Sequence, residues 1–161
     1  MNQGVLKSLF DYDPITGRLV RVVFDKPGQK AITHGVSAQG YYVRWVNQEC
    51  YLEHVLVYLW HTGEFVKEID HENRIKTDNR IGNLRRCDRT LNNANQPKRR
   101  DNSSGYRGVS AKGAKWLAQI TVRGAWMYLG LHSTADAAAR AYNRAAREQF
   151  GEFAYINEVP C

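Results

Sequence analysis

Residues 68–96 constrain the fold more than any other part of the sequence, because strand, loop and helix signals follow one another there at short spacing. An alternation of apolar and polar residues ends at the adjacent pair Asp70 and His71, as at the end of a strand. A polar loop and a second short strand follow. Asp88 then suits the N-cap of a helix, and Asn92 lies one turn further in. This order predicts a compact finger in which the helix returns towards Asp70.

The neighbouring carboxylate and imidazole provide two complementary functions at a phosphate group. The Asp70 carboxylate can hold a divalent cation through oxygen, and the His71 imidazole can take a proton from water. Asn92 can supply one more oxygen ligand from the helix. The competing interpretation is a surface Asp–His pair beside an ordinary Asn-rich loop, which for His71 alone is the more common situation.

The spacing Asp-His-x(11)-Asn-x(8)-Asn resembles the HNH nuclease motif, the ββα-metal finger, in the variant with Asn as its third member. Four neighbouring segments also look like phage and intron-encoded homing endonucleases, namely 51–54, 62–64, 78–80 and 83–85. The resemblance implies that His71 is the general base and that Asp70 and Asn92 bind the metal. It also implies that Asn83 fixes the loop and orients the site. The implied cofactor is one divalent metal, with Mg²⁺ expected and Mn²⁺ as the alternative.

Two positions depart from the family pattern. Val55 stands where Arg usually follows the His of the preceding helix, and Glu72 stands where an apolar residue usually follows Asp-His. Neither difference removes a catalytic group. With four positions at the family spacing, the resemblance favours a working site over an incidental surface pair.

The charge balance predicts a polyanionic partner. The chain has 23 Lys and Arg against 16 Asp and Glu, which gives a net charge of +7 and a pI near 9.5. Cations that neutralise phosphates release counterions, so double-stranded DNA is the expected partner. An anionic membrane is the competing partner, but no apolar run approaches the ~18 residues of a membrane span. No obligate protein partner is expected, and the chain is expected to act as a monomer or a dimer.

The cysteine and N-terminal patterns predict a cytosolic protein. Cys50, Cys87 and Cys161 are an odd, widely spaced set without a C-x-x-C pair, so neither disulfides nor a structural zinc are expected. The first residues lack the layout of a signal peptide. Together with the phage and intron resemblance, these features predict the cytosol of a bacterial or phage-infected cell.

The polar segment 97–105 marks the predicted domain boundary. Pro97 ends the preceding helix, and the basic triplet after it suits a short linker that lies along DNA. The predicted nuclease domain is therefore 1–96, with the finger at about 66–96. A second domain is predicted at 106–158.

The apolar segment 54–61 has the length of a helix and is followed by Gly63. We expect this helix to pack behind the finger. His54 and His61 are expected to be packed or surface residues rather than metal ligands. The region before the finger is therefore expected to support the nuclease motif.

The second domain is predicted to contain three antiparallel strands followed by one helix. The strands are expected at 106–110, 116–123 and 126–131, and the helix at 134–149 with Ser133 as N-cap and Asp136 at N3. One set of alternate side chains in the second strand is apolar and is expected to face the helix, namely Trp116, Ala118, Ile120 and Val122. The opposite face is polar and aromatic and suits the DNA major groove.

This second domain resembles the Apetala/ethylene-response-factor DNA-binding domain over about 105–157, through the motifs at 106–109 and 128–130 and the Ala-rich helix. The resemblance implies a DNA-contacting face made of Arg107, Ser110, Lys112, Gln119, Thr121, Arg123, Trp126 and Tyr128. Further cations are expected to contact DNA without reading its sequence, namely Arg74, Arg80, Arg85, Arg86, Arg89, Lys98, Arg99, Arg100 and Lys115. The competing interpretation is that these cations are a solvated surface and that the two aromatic rings pack on the Lys112 and Arg123 stems.

The predicted fold is α+β, with a ββα-metal finger nuclease domain joined to a three-stranded antiparallel sheet packed on one helix. The predicted function is a site-directed homing endonuclease that hydrolyses double-stranded DNA with one divalent metal and a His base. One site cuts one strand, so a double-strand cut takes two molecules or two visits. The alternatives are a DNA-binding regulator with an inactive nuclease motif and an RNA-directed nuclease. The narrow major groove of A-form RNA disfavours the second alternative.

Overall fold

The computed structural model describes residues 1–22, 33–46 and 48–160, which form two compact units, Met1–Cys87 and Asp88–Cys161. Both units combine helices with antiparallel strands, so the α+β prediction is confirmed. Within these described ranges, no helix has both the length and the apolar character needed to cross a membrane. Of the three cysteines, Cys50 is exposed and Cys87 is half-buried, whereas Cys161 lies outside the described residues.

The N-terminal unit is built from short helices and small antiparallel sheets. In chain order its described elements are α1 (Gln3–Leu9), β1 (Phe10–Asp13), β2 (Arg18–Arg21), β3 (Thr33–Val36), β4 (Tyr42–Val46), β5 (Glu49–Leu52), α2 (Glu53–Thr62), β6 (Ile69–His71), a 3-10 turn (Ile81–Asn83) and β7 (Leu84–Arg86). The strands pair as a β1–β2 hairpin, a β3–β4–β5 sheet and a β6–β7 hairpin. The helix expected at 54–61 is confirmed as α2.

α2 lies in the core of the N-terminal unit because apolar side chains cover most of its circumference. Leu56, Val57 and Leu59 are at most 1% exposed and pack in one cluster with Phe10 of β1. Burial of each such side chain stabilises the fold by roughly 1.5–3 kcal/mol. The helix ends where Gly63 adopts a left-handed φ of 78° and its N–H bonds to the Leu59 carbonyl at 2.9 Å.

A buried ion network at the start of α2 joins three elements of this unit. Glu53 has no exposed surface. Its Oε1 accepts hydrogen bonds from Arg18 Nε, Arg44 Nη2 and the Leu19 amide, each at 3.0 Å. A carboxylate in a low-dielectric interior needs such donors, because removal of one partner leaves an uncompensated charge that costs about 3–5 kcal/mol. The network therefore holds β2 and β4 against the first turn of α2.

The C-terminal unit is a three-stranded sheet in its described residues, with a long helix on one face. Its elements are α3 (Arg89–Asn95), β8 (Val109–Lys112), β9 (Lys115–Val122), β10 (Ala125–His132), α4 (Ala135–Phe150) and a 3-10 turn (Gly151–Phe153). The antiparallel order is β10–β9–β8. Ala118 and Ile120 of β9 are buried in clusters with Ala138 and Tyr142 of α4. The apolar set of β9 thus faces the helix, as the alternation indicates.

The first strand of this sheet begins at Val109 and not at residue 106 as predicted. The preceding residues form turns in which Ser104 Oγ donates to the Val109 carbonyl at 2.8 Å. Gly108 has a φ of 73°, and a Cβ on it would lie 2.1 Å from the Tyr142 ring. The backbone therefore comes too close to α4 at this point to continue as a regular strand.

The predicted N-cap of the long helix is also wrong by one residue. Thr134, and not Ser133, is the N-cap, since Thr134 Oγ1 accepts the N–H of Ala137 at 3.1 Å. Asp136 consequently falls at the second helical position. Its carboxylate accepts a hydrogen bond from the hydroxyl of Tyr106 at 2.7 Å, so it ties the turn before β8 to the start of α4.

The short helix α3 packs with the C-terminal unit. Asp88 is its N-cap, as predicted, with Oδ1 accepting the Leu91 N–H at 2.8 Å. Ala94 is 3% exposed and belongs to the same cluster as Ile120 and Tyr142. The boundary between compact units thus falls between Cys87 and Asp88, ahead of α3, whereas the sequence places the functional boundary after it.

Candidate functional site

Asp70 and His71 end the short strand β6, where the sequence places them. β6 pairs with β7 in a register that sets Asp70 opposite Arg85 and His71 opposite Leu84. Asp70 is 3% exposed and His71 is 5% exposed. Neighbouring residues of a strand point to opposite faces, so both faces of this strand are covered. Both predicted reactive groups are therefore held in low-dielectric surroundings.

The Asp70 carboxylate forms a cross-strand ion pair with Arg85. Asp70 Oδ2 accepts from Arg85 Nε at 2.9 Å and from Arg85 Nη2 at 2.8 Å. The sequence predicts Arg85 as a DNA contact, but its guanidinium is bound to Asp70 and is largely buried. A cation at Asp70 would therefore share the carboxylate with a fixed positive charge.

The ring of His71 is held by the buried side-chain amide of Asn79, which no sequence pattern marks as a site residue. His71 Nε2 lies 3.0 Å from Oδ1 of Asn79, which has no exposed surface. An oxygen acceptor at this distance places the proton on Nε2, so Nδ1 is the basic nitrogen of the neutral ring. Burial lowers the pKa of His71, against the opposing effects of the Asn79 hydrogen bond and of the Asp70 and Asp78 charges. The imidazole is consequently neutral at neutral pH.

A second buried imidazole lies against the first. The His54 ring of α2 makes an edge-to-face contact with His71, with ring centroids 4.9 Å apart, and Tyr41 contacts both rings. Burial, and secondly the charge of His71, lower the pKa of His54 to about 3. His61 packs against Tyr12 at a centroid distance of 4.4 Å. Both histidines are packed residues, as expected.

Asn83 closes the loop between β6 and β7 from both ends. Its Oδ1 accepts the Asn73 N–H at 2.9 Å, and its Nδ2 donates to the Asp78 carbonyl at 2.8 Å. Its own carbonyl accepts the Glu72 N–H at 3.0 Å. Hydrogen bonds from Arg80, and then from Asn73, hold the pKa of the Asp78 carboxyl well below its usual range. The loop that carries Asn79 is therefore firmly fixed.

The β1–β2 hairpin supports this loop from a distant part of the chain. Tyr12 Oη accepts the Ile81 N–H at 3.0 Å. Gly17 has a φ of 70°, and a Cβ on it would lie 2.4 Å from the Arg80 nitrogen and 2.6 Å from the Asn79 carbonyl carbon. Only glycine fits this backbone contact. The sequence marks Gly17 as a turn residue but gives no sign of this contact.

The predicted metal ligands occur in different compact units. Asp70 belongs to the N-terminal unit, whereas Asn92 lies on α3 of the C-terminal unit, where its N–H bonds to the Asp88 carbonyl at 2.9 Å. Over the described part of the chain, no three His, Cys, Asp or Glu side chains form a metal-binding group. The predicted set is one carboxylate with one amide, which are oxygen donors of the kind that Mg²⁺ accepts.

The predicted DNA-contacting cations of the finger and linker are mostly exposed, and several of them also make polar contacts within the protein. Arg80 pairs with Asp78 at 2.6 Å, and Arg86 pairs with Glu64 at 3.3 Å. Lys98 donates to the Gly105 carbonyl at 2.7 Å, and Arg99 lies 3.6 Å from Asp101. All four side chains are exposed, as are Arg74, Arg89 and Arg100.

The sheet face opposite α4 is exposed and aromatic. Trp126 and Tyr128 are 57% and 55% exposed, with ring centroids 6.3 Å apart. Trp126 Nε1 donates to Gln119 Oε1 at 2.9 Å across the β9–β10 pair. The remaining predicted residues on this side are exposed or half-buried, namely Ser110, Lys112, Lys115, Thr121 and Arg123.

Arg107 differs from the other predicted contacts of this domain. Its guanidinium donates to the carbonyls of Asn93 at 2.8 Å and Ala94 at 2.7 Å, and also to the carbonyl of Gln96. The Arg107 guanidinium carbon also lies 5.8 Å from the Tyr155 ring centroid. Three hydrogen bonds of Arg107 are therefore directed at the end of α3.

One family model matches the chain. The model described as HNH endonuclease matches residues 51–94, which run from β5 through α2, β6, the loop and β7 into α3. The match supports an HNH nuclease domain in this segment of the chain. No curated protein and no solved structure matches the chain.

Proposed function

We propose that the protein is a site-directed DNA endonuclease of the homing type, which hydrolyses phosphodiester bonds with His71 as general base. The observation that carries the proposal is the state of His71: a buried imidazole, fixed through Nε2 by Asn79, beside Asp70 and within the segment that matches the HNH endonuclease model. Asp70 and Asn92 would hold the divalent metal, with Mg²⁺ expected.

The residues fit a divalent metal in their donor chemistry. A hard cation that keeps several waters needs only one or two protein oxygens, and Asp70 and Asn92 offer a carboxylate and an amide. Arg85 offsets part of the Asp70 charge, so DNA phosphate would have to supply further negative charge to the metal. When bound, the metal supplies charge stabilisation at the phosphate and at the leaving oxygen.

The chain's own residues handle the proton. Nδ1 of the neutral His71 ring takes the proton of the attacking water, while Asn79 Oδ1 keeps the Nε2 proton in place. The imidazolium that forms is favoured by the nearby charges of Asp70 and Asp78. Asn83 keeps the loop closed, so the ring does not have to reorganise during the reaction.

We assign recognition of the DNA to the exposed face of the C-terminal sheet. Gln119 and Thr121 provide hydrogen-bonding groups for base edges, and Arg123 provides a charge for phosphates. The exposed rings of Trp126 and Tyr128 support this assignment, because exposed aromatic patches mark contact surfaces.

A plasmid assay tests the nuclease proposal. Supercoiled plasmid and genomic DNA of the source organism are incubated with the full chain in Mg²⁺, and in EDTA as the metal-free reference. We expect relaxed plasmid only with metal, and a rate lower by about 100-fold or more for His71→Ala. The matched control is His34→Ala, an exposed histidine of the same unit, which should cut like the wild type. Cutting by His71→Ala at the wild-type rate would remove His71 from the mechanism.

One observation favours the alternative of a DNA-binding regulator. Arg85 already occupies Oδ2 of Asp70, as a structural ion pair would. The same assay decides between the functions, because a regulator binds the DNA and leaves it supercoiled at every metal concentration.

A further inference from the structure

Hydrogen bonds fix the backbone of Arg107 independently of its side chain. Its N–H donates to Asn157 Oδ1 at 2.7 Å, and its carbonyl accepts from Asn157 Nδ2 at 3.1 Å. Asn157 is 4% exposed and is itself held by Asn143 through two hydrogen bonds of 2.8 Å. The base of the Arg107 side chain therefore has one position in the C-terminal unit.

From this position the guanidinium reaches the last turn of α3. It donates to the carbonyls of Asn93, Ala94 and Gln96, which lie at the end of the helix, where carbonyls have no i+4 partner within the helix. The Asn93 and Ala94 carbonyls each accept one further backbone N–H, from Gln96 at 3.2 Å and from Tyr155 at 3.1 Å. A cation at a helix C-terminus also interacts favourably with the helix dipole. The planar guanidinium offers five N–H donors, so one side chain can satisfy several carbonyls at once.

α3 depends on such outside contacts. It spans only Arg89–Asn95, and helices of this length are marginal in water without tertiary support. No basic residue of its own lies in its last turn. Its support includes the Asp88 cap at one end and Leu91, which packs on the cluster around Ala94. At the other end the Ala94 side chain is buried and its carbonyl accepts the Tyr155 N–H at 3.1 Å.

We propose that Arg107 is a positioning residue, which fixes α3 and thereby the orientation of Asn92, and that it is not a DNA contact. The proposal rests on the proposed function in one respect, since it takes Asn92 as a metal ligand. The resemblance of the C-terminal domain implies that Arg107 contacts DNA, and the proposal replaces that role. The exposed Arg123 retains that role and is the natural comparison.

The experiment compares Arg107→Gln with Arg123→Gln in the full chain. Three quantities are measured: amide hydrogen exchange over 89–96, affinity for a random-sequence DNA duplex in EDTA, and the Mg²⁺ concentration that gives half-maximal plasmid cleavage. For Arg107→Gln we expect exchange over 89–96 to rise by about tenfold or more, because hydrogen bonds to a charged group are lost. We also expect a several-fold higher Mg²⁺ requirement and unchanged DNA affinity. Arg123→Gln should show weaker, less salt-dependent DNA binding and unchanged exchange.

The opposite pattern overturns the proposal. If Arg107→Gln weakens DNA binding as much as Arg123→Gln and leaves the exchange over 89–96 at the wild-type level, Arg107 is a DNA contact. Arg107→Lys covers the case in which Arg107→Gln fails to fold. A lysine keeps the charge for a phosphate but cannot span three carbonyls, so exchange should rise while DNA affinity is kept. Wild-type exchange in the folded Arg107→Lys protein would also reject the proposal.

Failure of the proposed function gives a different result. If the wild-type chain does not cut DNA at any Mg²⁺ concentration, the nuclease proposal falls, while exchange and DNA affinity still decide whether Arg107 fixes α3. If the wild type cuts and Arg107→Gln loosens α3 without changing the Mg²⁺ requirement, the link from Arg107 to Asn92 is wrong.

Discussion

Mild acid is expected to destabilise the N-terminal unit through His54. This side chain is 3% exposed, and its ring lies against His71 at 4.9 Å between centroids. Its pKa is about 3 in the folded protein, against about 6.5 for an unperturbed histidine. Between these values the unfolded chain binds a proton that the folded chain excludes. The free energy of unfolding therefore falls as the pH falls from about 6.5 towards 3.

The size of the effect follows from the two pKa values. Between pH 7 and pH 5, protonation of His54 in the unfolded chain lowers the free energy of unfolding by about 2 kcal/mol. At pH 4 the loss reaches about 3 kcal/mol. The lowered pKa of His71 acts in the same direction, so the whole unit should lose at least this amount. Such a loss is a large part of the stability of a small unit.

Urea unfolding at pH 7 and pH 5 measures the effect. Trp116 and Trp126 are replaced by Phe, so that fluorescence reports on the tryptophans of the N-terminal unit. His54→Phe keeps a flat ring and removes the titrating group, whose Nδ1 is buried without a hydrogen-bond partner in the described structure. We expect this variant to lose about 2 kcal/mol less than its parent between the two pH values.

The exposed His34 provides the matched control, and His34→Phe should keep the pH dependence of the parent protein. An unchanged pH dependence in His54→Phe would refute the reasoning, because the proton uptake would then occur at other groups.

Three further predictions concern the loop and the imidazole that it holds. Because burial lowers the pKa of His71, the cleavage rate at pH 6.5 should stay near its value at pH 7 and should fall only in more acidic solution. An exposed histidine would already be half protonated at pH 6.5. A pH–rate profile whose acid limb lies at 6.5 or above would contradict this prediction. Gly17→Ala should destabilise the N-terminal unit by at least about 1 kcal/mol and reduce cleavage, since its Cβ overlaps the backbone at Asn79. Chemical denaturation and plasmid cleavage test this prediction. Gly40→Ala is the control for the positive φ alone, because a Cβ at Gly40 meets nothing within 4 Å. Asn83→Ala should accelerate amide exchange in residues 72–80 while binding DNA in EDTA like the wild type, and unchanged exchange would show that the loop is held by other contacts.

Local patterns explain what could be predicted from the sequence. The end of β6 at Asp70 and His71, the Asp88 cap and the strand–strand–strand–helix order of the C-terminal unit all follow from alternation and capping chemistry within a few residues. The sequence does not distinguish the N-cap Thr134 from Ser133, because Ser133 has equivalent chemistry one position earlier and only the geometry of the turn separates them.

Contacts between distant segments explain what could not be predicted. Asn79 lies in the family-like segment 78–80, but its contact with His71 depends on how the loop folds back. The fit of Gly17 against that loop joins two segments with no pattern in common. The neighbours of Arg107 in sequence resemble a DNA-binding domain and predict a DNA contact, whereas the side chain bonds to carbonyls of a helix that precedes it.

The unit boundary lies between Cys87 and Asp88, and this position limits where recombination could replace the C-terminal unit. A recombination event that replaced the chain from residue 106 onwards would separate α3 from Arg107 and from the cluster around Ala94. A crossover at residue 88 would instead transfer the helix together with the surface that stabilises it. Under the proposed function, every newly acquired C-terminal unit would then have to bring its own counterpart of Asn92. Exchange of C-terminal units would thus be constrained by the need for a metal ligand as well as by folding.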